Sequence, residues 1–299
     1  MQRVATLPAP PGRGRLTDPA AALAAPALAG LLDPLVERYE RPDFIAGDPV
    51  ALPHAFDDAG DREVVGLFAA VLAWGRRDTM LRNLADLVAR MRHRPLAFVR
   101  SFDPDRHAAA LDGFRHRTFR PDDAVALTIA LRDTLRRYGS LQNVFAAHLP
   151  AGATDIGPGI EGLSTTLLTI TPGTPARLAK HLARPSTGSA CKRLALYARW
   201  MVRPGPVDLG VWDCATPAQL VLPLDVHTGR EARRLGLLRR PQDDWRAVLE
   251  LTDACRALNP DDPARYDFAL FGSGVGLGMG SGLGPRDQGQ DSPQGPTES

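Results

Sequence analysis

Apolar side chains recur every three or four positions along most of this 299-residue chain. That spacing places them on one face of an α-helix. It predicts helices over residues 31–39, 61–74, 78–92, 122–138, 140–148, 160–169, 175–183 and 189–203, and shorter ones over 230–235 and 266–271. Residues 41–56 are polar and punctuated by proline, which indicates a loop. Because no stretch alternates as a strand does, we predict an all-α fold of two helical lobes.

The two ends differ from the rest of the chain. Residues 1–20 are rich in proline, glycine and arginine without periodicity, which predicts a disordered extension. The glycine-rich run from 272 to 284 predicts an exit from the core into a disordered tail over 282–299. The helical domain is therefore expected over 28–276. The alanine-rich segment 20–31 resembles a signal peptide, but it contains Pro26 and is followed closely by Asp33. We therefore interpret it as the segment that leads into the first core helix.

Composition narrows the compartment and the class of protein. No apolar run is long enough for a membrane span. The three cysteines, Cys191, Cys214 and Cys255, have neither metal-ligand spacing nor the look of a disulfide framework. We therefore expect a cytoplasmic protein without a membrane partner, a metal or a cofactor.

Lysine is nearly absent from the chain. Of 36 basic residues only Lys180 and Lys192 are lysines. Lys192 follows a turn of small residues, and Ser189 would cap a helix with Lys192 at its third position. The positive end of the helix dipole would favour the neutral amine, which can attack an electrophilic carbon. A surface lysine or a simple phosphate contact is the alternative.

Positive charge is concentrated around this lysine. Residues 171–240 contain twelve basic and four acidic residues, whereas the rest of the chain has an acidic excess. Such a concentration is typical of a surface that binds a polyanion, most often nucleic acid. A solvated helix face is the other interpretation.

A second polar position lies thirty-three residues after Lys192. Asp225 stands between an apolar stretch and a short helix, where an N-cap residue belongs. It is either a capping aspartate alone or a carboxylate held close to the amine of Lys192.

Together these segments resemble the helix-hairpin-helix DNA glycosylases, the superfamily of endonuclease III and the 8-oxoguanine glycosylases. The hairpin precedes a lysine at the start of its second helix. The segment 224–230 (Leu-Asp-Val-His-Thr-Gly-Arg) is similar to the Val-Asp-Thr-His-x-x-Arg segment of those enzymes. The separation of lysine and aspartate is closer to that of the archaeal 8-oxoguanine glycosylases. The hairpin of this chain lacks the Leu-Pro-Gly-Val-Gly pattern that is usual in those enzymes. The four-cysteine iron–sulfur loop of endonuclease III is also absent from the sequence.

A more specific resemblance covers roughly residues 30–276. The segments 188–194, 199–203, 116–119 and 266–272 resemble a bacterial family known as domain of unknown function 2400. That resemblance implies no established activity.

The glycosylase resemblance implies a helix-hairpin-helix fold and base-excision repair of double-stranded DNA. Lys192 would attack C1′ of a flipped nucleotide, and Asp225 would stabilise the cationic sugar. An oxidised purine such as 8-oxoguanine is the implied substrate, with strand cleavage through a Schiff base. A non-catalytic nucleic-acid-binding protein on the same scaffold remains the alternative. The protein is expected to act as a monomer, associated with the nucleoid.

The remaining candidate residues are contacts to the nucleic acid. Contacts to the DNA backbone are expected from Gly188, Ser189, Arg193, His227 and Arg230. Stacking on the flipped base is expected from Trp74 and Trp212, although tryptophans on apolar helices, Trp200 included, are usually core residues.

Overall fold

The computed structural model describes residues 25–279, with side chains as far as residue 272. This part of the chain is all-α and contains no β-strand, which confirms the predicted fold class. Its helices are α1 (Ala25–Tyr39), α2 (Pro42–Ile45), α3 (Ala51–His54), α4 (Ala59–Val71), α5 (Arg77–Arg90), α6 (Pro95–Arg100), α7 (Pro104–His107), α8 (Pro121–Tyr138), α9 (Leu141–His148), α10 (Gly157–Thr169), α11 (Lys192–Val202), α12 (Val226–Arg234), α13 (Trp245–Arg256) and α14 (Tyr266–Met279). The expected division into two lobes stays a prediction.

Most of the expected helices are present, but several boundaries are wrong. The segment expected as a helix over 175–183 forms only a 3-10 turn, Ala176–Lys180, because proline residues on both sides limit its length. The loop expected over 41–56 contains α2 and α3. Helix α13 was not predicted, although its apolar residues have helical spacing. The segments expected to be disordered, 1–20 and 282–299, lie outside the described residues.

The glycine-rich run from residue 272 continues helix α14 as far as Met279. Helix α14 packs against α1. A Cβ atom on Gly272 would lie 2.2 Å from Cδ2 of Tyr39. The glycine therefore permits close helix contact, although glycine is a poor helix former. None of the helices in residues 25–279 has both the length and the hydropathy needed to span a membrane.

Helices α4 and α11 form the centre of the core. Residues 63–73 are buried without interruption, so α4 is covered on all sides. It contacts α11 at Gly66, where a Cβ atom would lie 2.7 Å from Cε of Met201. Helix α14 packs against both α1 and α12. The ion pair of Arg199 with Asp267 links α11 to α14.

Two arginines on α11 carry charge into this core. Arg199 contacts Asp208 at 3.2 Å and also pairs with Asp267. Arg203 contacts Asp208 at 3.1 Å and Asp262 at 2.8 Å. The charges of these two guanidinium groups are thus matched by carboxylates, as burial of a charge requires.

We expect Asp208→Ala to destabilise the protein by about 3–5 kcal/mol, because it leaves two buried guanidinium groups without a shared partner. The Asp208 side chain is fully buried between Arg199 and Arg203. Urea unfolding followed by circular dichroism measures the change. The matched control is Asp253→Ala, which removes an exposed partner of Arg256 and should change stability by less than about 1 kcal/mol. Equal effects of the two substitutions would contradict the role of the buried network.

Candidate active site

Three helices begin at one cavity of about 670 Å³. Lys192 is the first residue of α11, Asp225 is the N-cap of α12, and Asp267 is the second residue of α14. All three residues line the cavity. The positive ends of three helix dipoles therefore point towards the same space, which favours negative charge there.

The structure brings Lys192 and Asp225 into direct contact. The Nζ atom of Lys192 lies 3.1 Å from Oδ2 of Asp225, and the two side chains are 30% and 22% exposed. Oδ1 of Asp225 accepts hydrogen bonds from the backbone N–H groups of His227 and Thr228, each at 2.9 Å. One carboxylate oxygen thus caps α12 while the other faces the amine. Asp225 therefore both caps α12 and contacts the amine of Lys192.

Asp225 is held in its ionised form. Its burial would raise the pKa, but the charge of Lys192 and the hydrogen bonds from Thr228, Lys192 and His227 outweigh this effect. The pKa of Asp225 is therefore lower than the ordinary value of an aspartate. At neutral pH the cavity contains a carboxylate beside the amine.

The start of α11 differs from the expected one. Ser189 is not its N-cap; Cys191 is, so Lys192 is the first helical residue and not the third. Cys191 has a left-handed backbone with φ of 50°, which prevents the helix from extending further back. The hydroxyl of Ser189 instead accepts a hydrogen bond from the Cys191 N–H at 3.2 Å. Lys192 still lies in the first turn, where the helix dipole disfavours its charge.

Cys191 is the other nucleophilic side chain near Lys192. Its thiol is buried, and this burial raises its pKa to about 12. The thiolate, which is the reactive form, is therefore absent at neutral pH. Lys192 is the better candidate for a nucleophile in this cavity.

Three further carboxylates in the cavity wall were not found by the sequence analysis: Asp48, Asp243 and Asp267. Asp267 is buried and pairs with Arg199; burial raises its pKa to about 6, although the charge of Arg199 opposes the shift. Burial also raises the pKa of Asp48, whose Oδ1 accepts from the Val50 N–H at 3.0 Å. Asp267 was hidden in a segment interpreted as an apolar core helix. A single acidic residue in such a helix is the signal that could have revealed it.

Aromatic side chains form another part of the wall. The rings of Phe44 and Phe268 meet edge to face at 5.6 Å, and those of Phe44 and Phe271 at 6.3 Å. Trp74 also lines the cavity, as predicted for a stacking residue. The cavity therefore combines apolar rings with the charged pair of Lys192 and Asp225.

The prediction for Trp212 is wrong. Trp212 does not line this cavity; it is buried in the core, where its Nε1–H donates to Oε1 of Glu63 at 2.7 Å. Its ring packs against Phe145 and Tyr197 at 5.3 and 5.2 Å. Trp200 is buried as well. Both tryptophans lie on the core side of their segments.

The predicted DNA contacts divide into two groups. Gly188, His227 and Arg230 are exposed, and Ser189 is partly exposed at the cavity. Gly188 has φ of 78°, the left-handed conformation that favours glycine. These four positions are accessible to a ligand.

Arg193 does not fit its expected role. Its Nη1 group donates to the carbonyl of Val71 at 3.0 Å and lies 3.4 Å from Nδ1 of His181. Burial also lowers its pKa. The guanidinium is therefore engaged at the end of α4 and is not free to bind a phosphate, which corrects the expectation.

The positive charge of residues 171–240 is also less available than its sum suggests. Seven of its twelve basic side chains form ion pairs with carboxylates: Arg177, Lys192, Arg199, Arg203, Arg233, Arg234 and Arg240. Two of them, Arg199 and Arg203, are buried. Sequence counting could not separate these charges from exposed ones.

The described side chains include no group of histidine, cysteine, aspartate and glutamate residues that could hold a metal ion. The described residues that line the cavity include an amine, carboxylates and aromatic rings.

Comparison with protein families gives one result. The model of the family DUF2400, described as a protein of unknown function, matches residues 48–276. Curated proteins and solved structures gave no match. The matched region covers more than half of the chain and includes Lys192, Asp225 and Asp267. The chain therefore belongs to the DUF2400 family.

Proposed function

We propose that this protein is a DNA glycosylase with lyase activity, which removes an oxidised purine such as 8-oxoguanine from double-stranded DNA. The observation that carries the proposal is the 3.1 Å contact between Nζ of Lys192 and Oδ2 of Asp225 in a cavity. An amine beside a carboxylate is suited to form a covalent bond with a sugar carbon. The scaffold is proposed to be that of the helix-hairpin-helix glycosylases.

The cavity supports a base as the ligand. A volume of about 670 Å³ is in the range of small-molecule sites. A base flipped out of the duplex needs apolar surface to stack on and polar groups to pair with its edge. Phe44, Phe271 and Trp74 supply rings, and Asp267 and Asp48 supply acceptors for N–H groups of a purine.

The proposed reaction begins with Lys192 as the neutral amine, which donates a hydrogen bond to the ionised Asp225 and is thereby oriented for attack. A bond then forms between Nζ and C1′ while the glycosidic bond breaks. The electron pair of that bond leaves with the base, which takes up the proton that Nζ loses. Opening of the sugar ring gives an imine between C1′ and Nζ. Loss of a proton from C2′ then expels the 3′ phosphate and cuts the strand.

Asp225 has two further tasks in this scheme. Its negative charge stabilises the cationic sugar as the base departs. Its hydrogen bonds to the first N–H groups of α12 keep the carboxylate in a fixed orientation. Such preorganisation makes the electrostatic stabilisation effective, because no group has to reorient during the reaction.

The turn before α11 supports approach of the DNA backbone. Residues 185–187 form a 3-10 turn, and Gly188 follows in a left-handed conformation with open space around its Cα. Because Gly188 has no side chain, a phosphate has room to approach the backbone of the turn there. The segment before it is a 3-10 turn and not an α-helix, so the proposed hairpin is shorter than an ordinary pair of helices.

Borohydride trapping tests the proposal. The protein is incubated with duplexes that carry 8-oxoguanine, other damaged bases or an abasic site, in the presence of borohydride. Hydride addition to the imine carbon gives a stable amine, so a covalent protein–DNA adduct is expected with the abasic site and with 8-oxoguanine. An adduct with the abasic site alone would support the lyase activity but contradict an oxidised purine such as 8-oxoguanine as the substrate. Binding without an adduct on any duplex would favour the non-catalytic alternative.

A further inference from the structure

A second segment of the chain carries more available positive charge than residues 171–240. Residues 76–120 contain eleven arginines and five aspartates. In this described segment only Arg90 and Arg106 form ion pairs, with Asp86 and Asp103. The other nine arginines form no ion pair with a carboxylate in the described part of the chain. The sequence did not reveal this surface, because the chain outside 171–240 is acidic on average.

Part of this charge lies beside the cavity. We call Arg76, Arg77, Arg115 and Arg117 the arginine rim. Arg77 lines the cavity itself, and Arg76 is the N-cap residue of α5. The guanidinium of Arg117 lies 5.0 Å from the centre of the Trp74 ring, which also lines the cavity.

The turn that carries Arg115 and Arg117 is fixed to the core. His116 and Phe119 exchange two backbone hydrogen bonds, at 3.0 and 2.9 Å. The buried His116 ring contacts Asn83 Nδ2 at 3.0 Å and the carbonyl of Trp74 at 2.8 Å. The turn therefore has a defined position relative to Trp74 and to helix α5, which contains Asn83.

The backbone conformations of Arg117 and Gly75 determine where the Arg117 side chain lies. Arg117 has φ of 55°, a left-handed conformation that is unusual for arginine. Gly75 has φ of 98°, and a Cβ atom there would lie 2.8 Å from Nη1 of Arg117. The glycine leaves room for the arginine side chain. A guanidinium stacked in advance loses little freedom when it binds an anion.

Few acidic groups face the rim. Asp78 lies in the first turn of α5, where its negative charge complements the helix dipole. Asp48 interacts electrostatically with Arg77. Arg76, Arg115 and Arg117 are exposed and form no ion pair with a described residue. Their charge is open to a ligand.

We propose that the arginine rim binds the backbone phosphates of the duplex whose nucleotide enters the cavity. This inference rests on the proposed function for its choice of DNA as the polyanion. The rim lies beside the cavity, so phosphates next to the flipped nucleotide are within its reach. Residues 171–240 contribute less to DNA binding, because most of their basic side chains already have partners.

Duplex affinity measured over a series of salt concentrations tests the rim. The probe is a fluorescein-labelled duplex without damage, followed by anisotropy. The double variant Arg76→Gln/Arg117→Gln is expected to bind about tenfold or more weakly at physiological salt. Each lost phosphate contact lowers the slope of log K against log salt by about 0.9, so the slope should fall by nearly two units.

The matched control is Arg234→Gln/Arg240→Gln, which removes the same charge from side chains paired with Glu231 and Asp244. It should keep both affinity and slope. Equal losses in both double variants would overturn the rim as a specific surface, as would an unchanged slope in Arg76→Gln/Arg117→Gln. A second pair, Arg76→Gln/Arg115→Gln, avoids the stack on Trp74 and should weaken binding similarly if the first variant misfolds.

The rim and the glycosylase can fail separately. If wild-type protein shows the steep salt dependence that the rim variants lose, but never forms a borohydride adduct, the rim is supported and the glycosylase is contradicted. If adducts form and the rim variants bind DNA as the wild type does, the glycosylase is supported and the rim is contradicted. Saturating amounts of the rim variants should still form the adduct at low salt, because Lys192 is untouched.

Discussion

Lys192→Arg is expected to abolish the covalent adduct that borohydride traps on an abasic or 8-oxoguanine duplex. Arginine keeps the positive charge beside Asp225, but a guanidinium stays protonated and cannot form an imine. Duplex affinity should remain within a few-fold of the wild-type value. The measurement is denaturing gel electrophoresis of the trapped complex, with binding followed separately by anisotropy.

Lys180→Arg provides a demanding control for this experiment. Lys180 is the only other lysine in the chain and lines the same cavity. Its replacement should leave the adduct intact, since it has no carboxylate partner among the described residues. Loss of the adduct in Lys180→Arg with retention in Lys192→Arg would identify Lys180 as the nucleophile and refute the proposed site.

Asp225→Asn is expected to slow base release by a factor of about 10²–10³, which is the effect of removing one electrostatic stabiliser from a preorganised site. Asparagine is also a good N-cap residue, so α12 and the overall stability should change little. Single-turnover release of the base, measured with enzyme in excess, separates this effect from a change in binding.

Asp243→Asn is the matched control for Asp225→Asn. Asp243 lines the same cavity, but its carboxylate pairs with Arg233 at 2.7 Å and not with Lys192. Release should stay within a few-fold of the wild-type rate. A comparable loss in both variants would mean that the total negative charge of the cavity matters, and not the contact of Asp225 with the amine.

The sequence was sufficient for the parts of the fold that depend on local pattern. Helical spacing of apolar residues identified the long helices, and the N-cap position of Asp225 was correct because a capping aspartate acts on its own neighbours. The start of α11 was wrong since the left-handed conformation of Cys191 is not a local preference of cysteine. The tertiary structure imposes it.

Long-range features of the site were only partly accessible. Lys192 stood out because lysine is rare in this chain, and its pairing with Asp225 could be expected from the family resemblance. The pairing of Asp267 with Arg199 could not be predicted, because it joins positions 68 residues apart. Counting charges also misjudged the basic surface, since a count cannot distinguish an arginine paired in the core from one exposed at the rim.

The buried arginines of α11 have a consequence for how the protein matures. Arg203 takes partners from Glu40 and from Asp262, which are separated by most of the folded chain. During synthesis, α11 is complete well before α14 has left the ribosome. Arg199 and Arg203 therefore lack two of their carboxylate partners until Asp267 and Asp262 have been synthesised. Docking of α14 then closes a loop, since Arg199 and Asp267 are 68 residues apart. Lys192 therefore acquires its complete surroundings only after α14 has docked, because Asp267 of that helix lines the same cavity.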